Sequence, residues 1–283
     1  MSFGPVTYYP IKTKIITPED SMVDVILQSL KENDLELQDN DIIVIAESPL
    51  AITQGRMVKL SEVKPSQKAI DIAKKFGMSP NLMELVLQES CAIYGGNPDY
   101  HFALALTKDG YFLANAGIDK SNVPPGYVTL PPEKPFETAR KIREEIYKRT
   151  GKKVGILIAD SRTQPLRRGN IGLAMGVAGF IPVEDERGKK DLFGRPLRIT
   201  WRGVAEDIAC GAELLMGEAA EQIPIVLVRG ANVHFTDDQI DPKEMIVPPE
   251  FCIYISSLKP SVKPIYTGNC PGEDSDKDSR DNK

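Results

Sequence analysis

Three short apolar runs rich in β-branched residues punctuate the chain: DIIVIA at 41–46, VGILIA at 154–159 and IPIVLV at 223–228. Runs of this length bounded by polar residues read as buried strands. Residues 5–16 read as a further extended segment. Between the strands the apolar period changes to that of a helix. Thr17-Pro18-Glu19-Asp20 is a helix start, with a capping hydroxyl, a first-turn proline and acids near the positive end of the dipole. It predicts a helix to about Lys31, with Met22, Val25, Ile26 and Leu30 inward. Ser66–Phe76, Pro80–Glu89, Phe136–Arg149 (Ala139, Ile142 and Ile146 inward) and the small-residue stretch Gly203–Met216 predict four more.

Phe102–Leu106 and Tyr111–Ala114 read as two strands joined by a hairpin at Asp109-Gly110. Prolines at 124, 125, 131, 132 and 135 predict an irregular connector over Val123–Pro135. Residues 197–201 and Phe251–Ser256 are candidate late strands. The stretch from Gly268 has almost no apolar content and predicts a disordered tail. At 283 residues the chain holds one large domain or two modest ones. The expectation is one domain over 1–267 and a polar tail over 268–283.

Composition narrows the function. A net charge of −5 gives no bulk support for nucleic-acid or membrane-surface binding. No apolar run is long enough to span a bilayer, and the N-terminal stretch lacks a signal peptide's apolar core. A cytoplasmic protein is the expectation. Cys91, Cys210, Cys252 and Cys270 are far apart with no CxxC pair, which predicts buried thiols rather than a disulfide framework or zinc site. With only His101 and His234 available, a divalent ion here would be a hard one held by oxygen.

The candidate chemistry is concentrated at 154–196. The strand predicted at 154–159 ends in Asp160. Behind it stand Arg162, Arg167 and Arg168, then Gly169, Gly172, Gly176 and Gly179, then Asp185, Arg187, Lys189, Lys190, Asp191 and Arg195. A carboxylate, an arginine cluster and a backbone open to close approach suit a metal-bound phosphate. A strand end followed by a solvated charge run and glycine turns is the competing reading at even weight. Asn115–Asn122, NAGIDKSN, offers Asp119 as a second carboxylate, or a plain turn.

In order, NAGIDKSN, a strand ending in Asp-Ser, RRGNIGLAMGVAGFIPVEDERGKKDLFGRPL, VAEDIACGAELLMGEA and VLVRGANV resemble the coenzyme F420-0:L-glutamate ligase family, with Gln54-Gly55-Arg56 and the N-terminal unit. The resemblance covers roughly residues 8–235. It implies a mixed α/β (α+β), two-lobed fold, neither Rossmann nor ATP-grasp, and an intertwined homodimer. It further implies use of GTP with Mg²⁺ or Mn²⁺ to join L-glutamate to a carboxylate of coenzyme F420-0 through an acyl phosphate. Carried over, Asp119 and Asp160 would bind one metal ion; Ser161, where the family usually has Thr, and Glu218 a second. Thr13, Lys14, Ile15, Ile16, Glu47, Ser48, Asn122 and the Met216–Ile223 loop (Met216, Gly217, Glu218 and Ala219 foremost) would contact the nucleotide. Asp160 and Arg168 would serve the chemistry. The chain departs from the family pattern at Ile52, Thr163 and Gln164, where Lys, Gly and Arg are usual. A paralogue acting on a different carboxylate, and a non-catalytic binding relative, are the alternatives.

Overall fold

The computed structural model describes residues 4–258 and 263–270. In chain order its elements are β1 (Thr7–Ile11), α1 (Met22–Glu32), β2 (Ile42–Ala46), α2 (Glu47–Thr53), β3 (Met57–Lys59), α3 (Gln67–Phe76), α4 (Pro80–Glu89), β4 (Ser90–Asn97), β5 (Phe102–Thr107), β6 (Phe112–Ala114), β7 (Tyr127–Thr129), α5 (Pro135–Thr150), β8 (Gly155–Thr163), β9 (Asn170–Ala178), β10 (Glu184–Asp185), β11 (Trp201–Arg202), α6 (Val204–Met216), β12 (Ile225–Arg229), α7 (Ile253–Leu258) and β13 (Ile265–Tyr266). The result is a mixed α/β fold with several sheets. Contacts divide it into two units, residues 1–56 with 132–245 and residues 57–131 with 246–283.

The first unit is built on a five-stranded sheet ordered β1-β12-β2-β8-β9. The three apolar runs are its central strands: β2 pairs with β8 in parallel, and β12 pairs antiparallel with both β2 and β1. Ile42–Ile45, Ile156–Ile158 and Ile225–Val228 are fully buried, as expected of strands covered on both faces. The edge strand β9 pairs with β8 through a register break: Ile158 faces Gly176, but Ala159 faces Ala174, so Met175 is an extra residue. Residues four apart normally share a strand face, and one extra residue inverts the alternation. Gly172 is therefore turned to α6, where a Cβ would lie 2.4 Å from the Ala209 carbonyl carbon, and Gly176 to the start of α5, 2.5 Å from Pro135 backbone.

The second unit has a four-stranded sheet, β13-β4-β5-β6, and a small β3–β7 pair. Its core joins α3 and α4 (Ala69, Ala73, Phe76, Leu82, Met83, Val86) to Ile93, Ala103, Ala105 and Val128. Cys91 and Cys270 form a disulfide. This corrects the expectation of buried thiols for that pair, since residues distant in sequence meet when β13 pairs with β4. Of the stretch expected as a tail, residues 268–270 are described, with Cys270 buried, and 271–283 lie outside the described residues.

Other expectations shift with tertiary context. The first helix starts at Met22, capped by Ser21; Thr17 instead donates its N–H to the Asp20 carboxylate (2.9 Å) in a preceding turn. Phe251–Ser256 is not a strand but part of a helical turn and the short α7. The proline-rich connector contains β7, which β3 recruits. No helix among the described residues is long and apolar enough to cross a membrane.

Candidate functional site

Asp160 lies inside a strand rather than at its end. β8 continues to Thr163 because β9 supplies a partner as far as Asn170, so Asp160 stands opposite Leu173 and Ser161 opposite Gly172. The Asp160 Oδ1 accepts the Ser161 N–H at 2.6 Å. The glycine-rich stretch read as close-approach loops is largely this strand. Its glycines serve packing as well, since Gly172 and Gly176 admit α6 and α5.

The strand register assembles several other candidates. Ala46 is level with Ala159, and Ile11, Ile225 and Ile45 lie in one row. One end of the sheet therefore gathers Thr13 after β1, Glu47 and Ser48 after β2, the loop before β12, and Asp160–Ser161 on β8. Thr13 is buried and donates its N–H to the Gln222 carbonyl (3.0 Å), tying two predicted nucleotide segments together. Glu47 is also buried and accepts the Ser48 hydroxyl. Lys14 is exposed and pairs with Asp20, and Ile15 is exposed.

Glu218 follows α6, whose final residue is Met216, and Gly217 leaves the helix at φ 72°. Its Oε1 accepts from Asn170 Nδ2 at 3.0 Å. Asn170 faces Thr163, three residues beyond Asp160. Ala219 donates its N–H to Glu221 at 2.8 Å. Glu213 on α6 is pushed up to about 7, first by burial and then by the Glu218 charge beside it. Two carboxylates crowded in this way favour a proton or a cation. Glu206, one turn into α6, is likewise raised by burial, although the Ala174 N–H and Arg162 oppose this. Sequence reading missed Glu206, Glu213 and Asn170. The available signal was the seven-residue spacing of Glu206 and Glu213 on a helix whose one other charge is Asp207.

Asp119 and Asn122 belong to the second unit. Asp119 exchanges backbone hydrogen bonds with Thr129, and its Oδ1 accepts from Lys120 N–H (2.7 Å) and Ser121 Oγ (3.0 Å). The NAGIDKSN stretch holds Asn115, Ala116 and Asn122 at positive φ, a costly conformation for residues with a Cβ. Among the described residues, no group of three or more His, Cys, Asp or Glu side chains is placed to hold a metal ion. In the first unit Asp160, Ser161 and Glu218 carry oxygen donors of the type a hard divalent cation takes, and in the second unit Asp119 carries another.

The basic cluster is divided. Arg187 pairs with Asp185 (2.7 Å), Lys189 with Glu186 (2.8 Å) and Arg195 with Asp191 (3.2 Å), so these charges are balanced within their own loop. Arg168 is exposed in the β8–β9 connection. Gln54 and Arg56 both reach Glu133: Gln54 Oε1 accepts its N–H at 2.8 Å and Arg56 Nη1 stands 3.4 Å from its carboxylate.

One end of the mixed sheet thus gathers carboxylates, hydroxyls and a polar loop. The sequence model of the family described as F420-0:Gamma-glutamyl ligase matches residues 10–230, and the chain belongs to that family. It is 43% identical over 212 residues to a protein named coenzyme F420:L-glutamate ligase in Methanocaldococcus jannaschii, covering 74% of this chain and 84% of the relative. Proteins of the same name in Methanothermobacter thermautotrophicus (41% over 211 residues; 75% and 83% covered) and Methanosarcina mazei (36% over 227 residues; 80% and 86%) are also similar.

Proposed function

We propose that the protein is a GTP- and metal-dependent ligase that joins L-glutamate to a carboxylate of coenzyme F420-0 through an amide bond. The observation that carries this reading is the row of Thr13, Glu47–Ser48, the Met216–Ile223 loop and Asp160–Ser161 at one end of the sheet, in a chain of this family.

A carboxylate is a poor electrophile. Its oxygen would attack the γ-phosphorus of GTP, releasing GDP and forming an acyl phosphate. The glutamate amine would then attack the acyl carbon, lose its proton, and expel phosphate. A divalent ion, when bound, would offset charge on the transferring phosphoryl group. Asp160 and Ser161, with Glu218, would hold it through oxygen. Thr13–Ile16, Glu47 and Ser48 would orient the nucleotide, and Arg168 would lie against its phosphates. A homodimer is the proposed assembly, and light scattering at micromolar concentration tests it.

Ile52, Thr163 and Gln164 favour a second reading, a paralogous ligase using another carboxylate. Ile52 lies on α2 directly after the Glu47–Ser48 corner, so an apolar side chain stands where the family pattern places a cation. One assay separates the readings. Purified protein with Mg²⁺ or Mn²⁺, GTP, L-glutamate and F420-0 is followed for GDP and for glutamylated product. Turnover of F420-0 at the rate of a dedicated enzyme supports the first reading. GTP hydrolysis that responds to other carboxylates but not to F420-0 supports the second.

A further inference from the structure

Arg162 lies on β8 two residues beyond Asp160. Its Nε is buried and has no hydrogen-bond partner among the described residues. Its Nη2 stands 4.0 Å from Glu206 Oε1, outside hydrogen-bond reach, and 35% of the side chain stays accessible. Glu206 is itself fixed, because its Oε2 accepts the Ala174 N–H at 3.0 Å, on the edge strand beside the register break. The helix carrying Glu206 cannot drift, since Gly172 is pressed against Ala209 and Cys210. The guanidinium is thus turned toward a carboxylate without closing on it. A buried donor left unmade costs about 1–3 kcal/mol, and it is the accessible part of the side chain, not the buried Nε, that a ligand can reach.

We infer that Arg162 binds an oxyanion of a substrate at this end of the sheet, with Glu206 as the positioning residue that keeps the guanidinium beside Asp160 and Ser161. The guanidinium is planar and offers paired donors, which match a phosphate or a carboxylate. The inference rests on the ligase reading only for the source of that oxyanion: the nucleotide's phosphates or the amino acid's carboxylate.

Binding of GTP with Mg²⁺, of inorganic triphosphate with Mg²⁺, and of L-glutamate is measured separately by calorimetry on the full chain, without turnover. Arg162→Ala is expected to weaken one class of ligand about tenfold or more. Loss of GTP and triphosphate binding identifies phosphate; loss of glutamate binding identifies carboxylate. Arg162→Lys, which keeps the stem and the charge but not the fork, should fall between, and it carries the test if Arg162→Ala does not fold. Glu206→Gln should weaken the same ligand several-fold, and adding it to Arg162→Ala should cause no further loss, a coupling that mere packing would not produce. If Arg162→Ala and Arg162→Lys bind all three ligands within threefold of the wild type, the inference is overturned. Absence of ligation by the wild type would overturn the ligase reading while leaving these binding results to stand.

Discussion

Gly172→Ala tests how α6 is held against the strand that faces Ser161. An added Cβ would meet the Ala209 carbonyl carbon at 2.4 Å and both the Ala209 oxygen and the Cys210 nitrogen at 2.5 Å. Carbon contacts settle at about 3.5–4.0 Å, so the helix must withdraw by about 1 Å. All three neighbours are backbone, so no rotamer change relieves them. Overpacking of this kind costs about 1–3 kcal/mol, and the upper part of that range applies here. The alanine recovers about 0.5–1 kcal/mol by restricting the unfolded chain. The net loss is about 2 kcal/mol, which lowers Tm by about 4–8 °C for a unit of this size. Thermal unfolding followed by circular dichroism measures it, with Gly95→Ala as control. The Gly95 Cβ would meet nothing within 4 Å, so that variant should melt at or a few degrees above the wild type. If Gly172→Ala and the bulkier Gly172→Val both melt with the wild type, α6 is not seated on β9 as described.

On the proposed mechanism, Asp160→Asn should leave the fold intact and lower ligation by about a hundredfold or more, because the amide would keep the size but lose the charge that would hold a hard cation; activity within a few-fold of wild type would reduce Asp160 to a strand residue. Cys270→Ser opens a cross-link spanning 179 residues and should cost about 2–4 kcal/mol, seen as a lower denaturation midpoint that reductant reproduces in the wild type; equal midpoints would mean the thiols are not joined in solution. The Glu213 carboxyl, at about 7 in the folded chain against an ordinary 4.5, binds more protons folded than unfolded between those values, so its contribution to stability is full below about pH 4.5 and lost as pH rises to about 7. Glu213→Gln should therefore melt higher than the wild type at about pH 8 and lose that advantage at about pH 4; a pH-independent difference would refute the assignment.

Local pattern was enough to place the central strands of the first sheet and the bodies of the principal helices. DIIVIA, VGILIA and IPIVLV are β2, β8 and β12, and the inward residues read for α1 and α5 are buried. Family membership was legible for the same reason, since the motifs are ordered along the chain and need no contacts to be seen. What the sequence left undetermined depended on partners distant along it. β8 runs through Asp160 only because β9 pairs with it, and β3 and β7 exist only as each other's partner. The Cys91–Cys270 bond depends on β13 joining the β4 edge. In the site, Asp160 and the polar segments were visible as residue types, but their shared level on the sheet is a property of register. Glu206 was invisible because its role is set by a hydrogen bond to Ala174 and an approach to Arg162, neither of them local. Periodicity and capping act over a few residues and are written in the chain, whereas register, edge pairing and the desolvation of one arginine donor arise only once the layers pack.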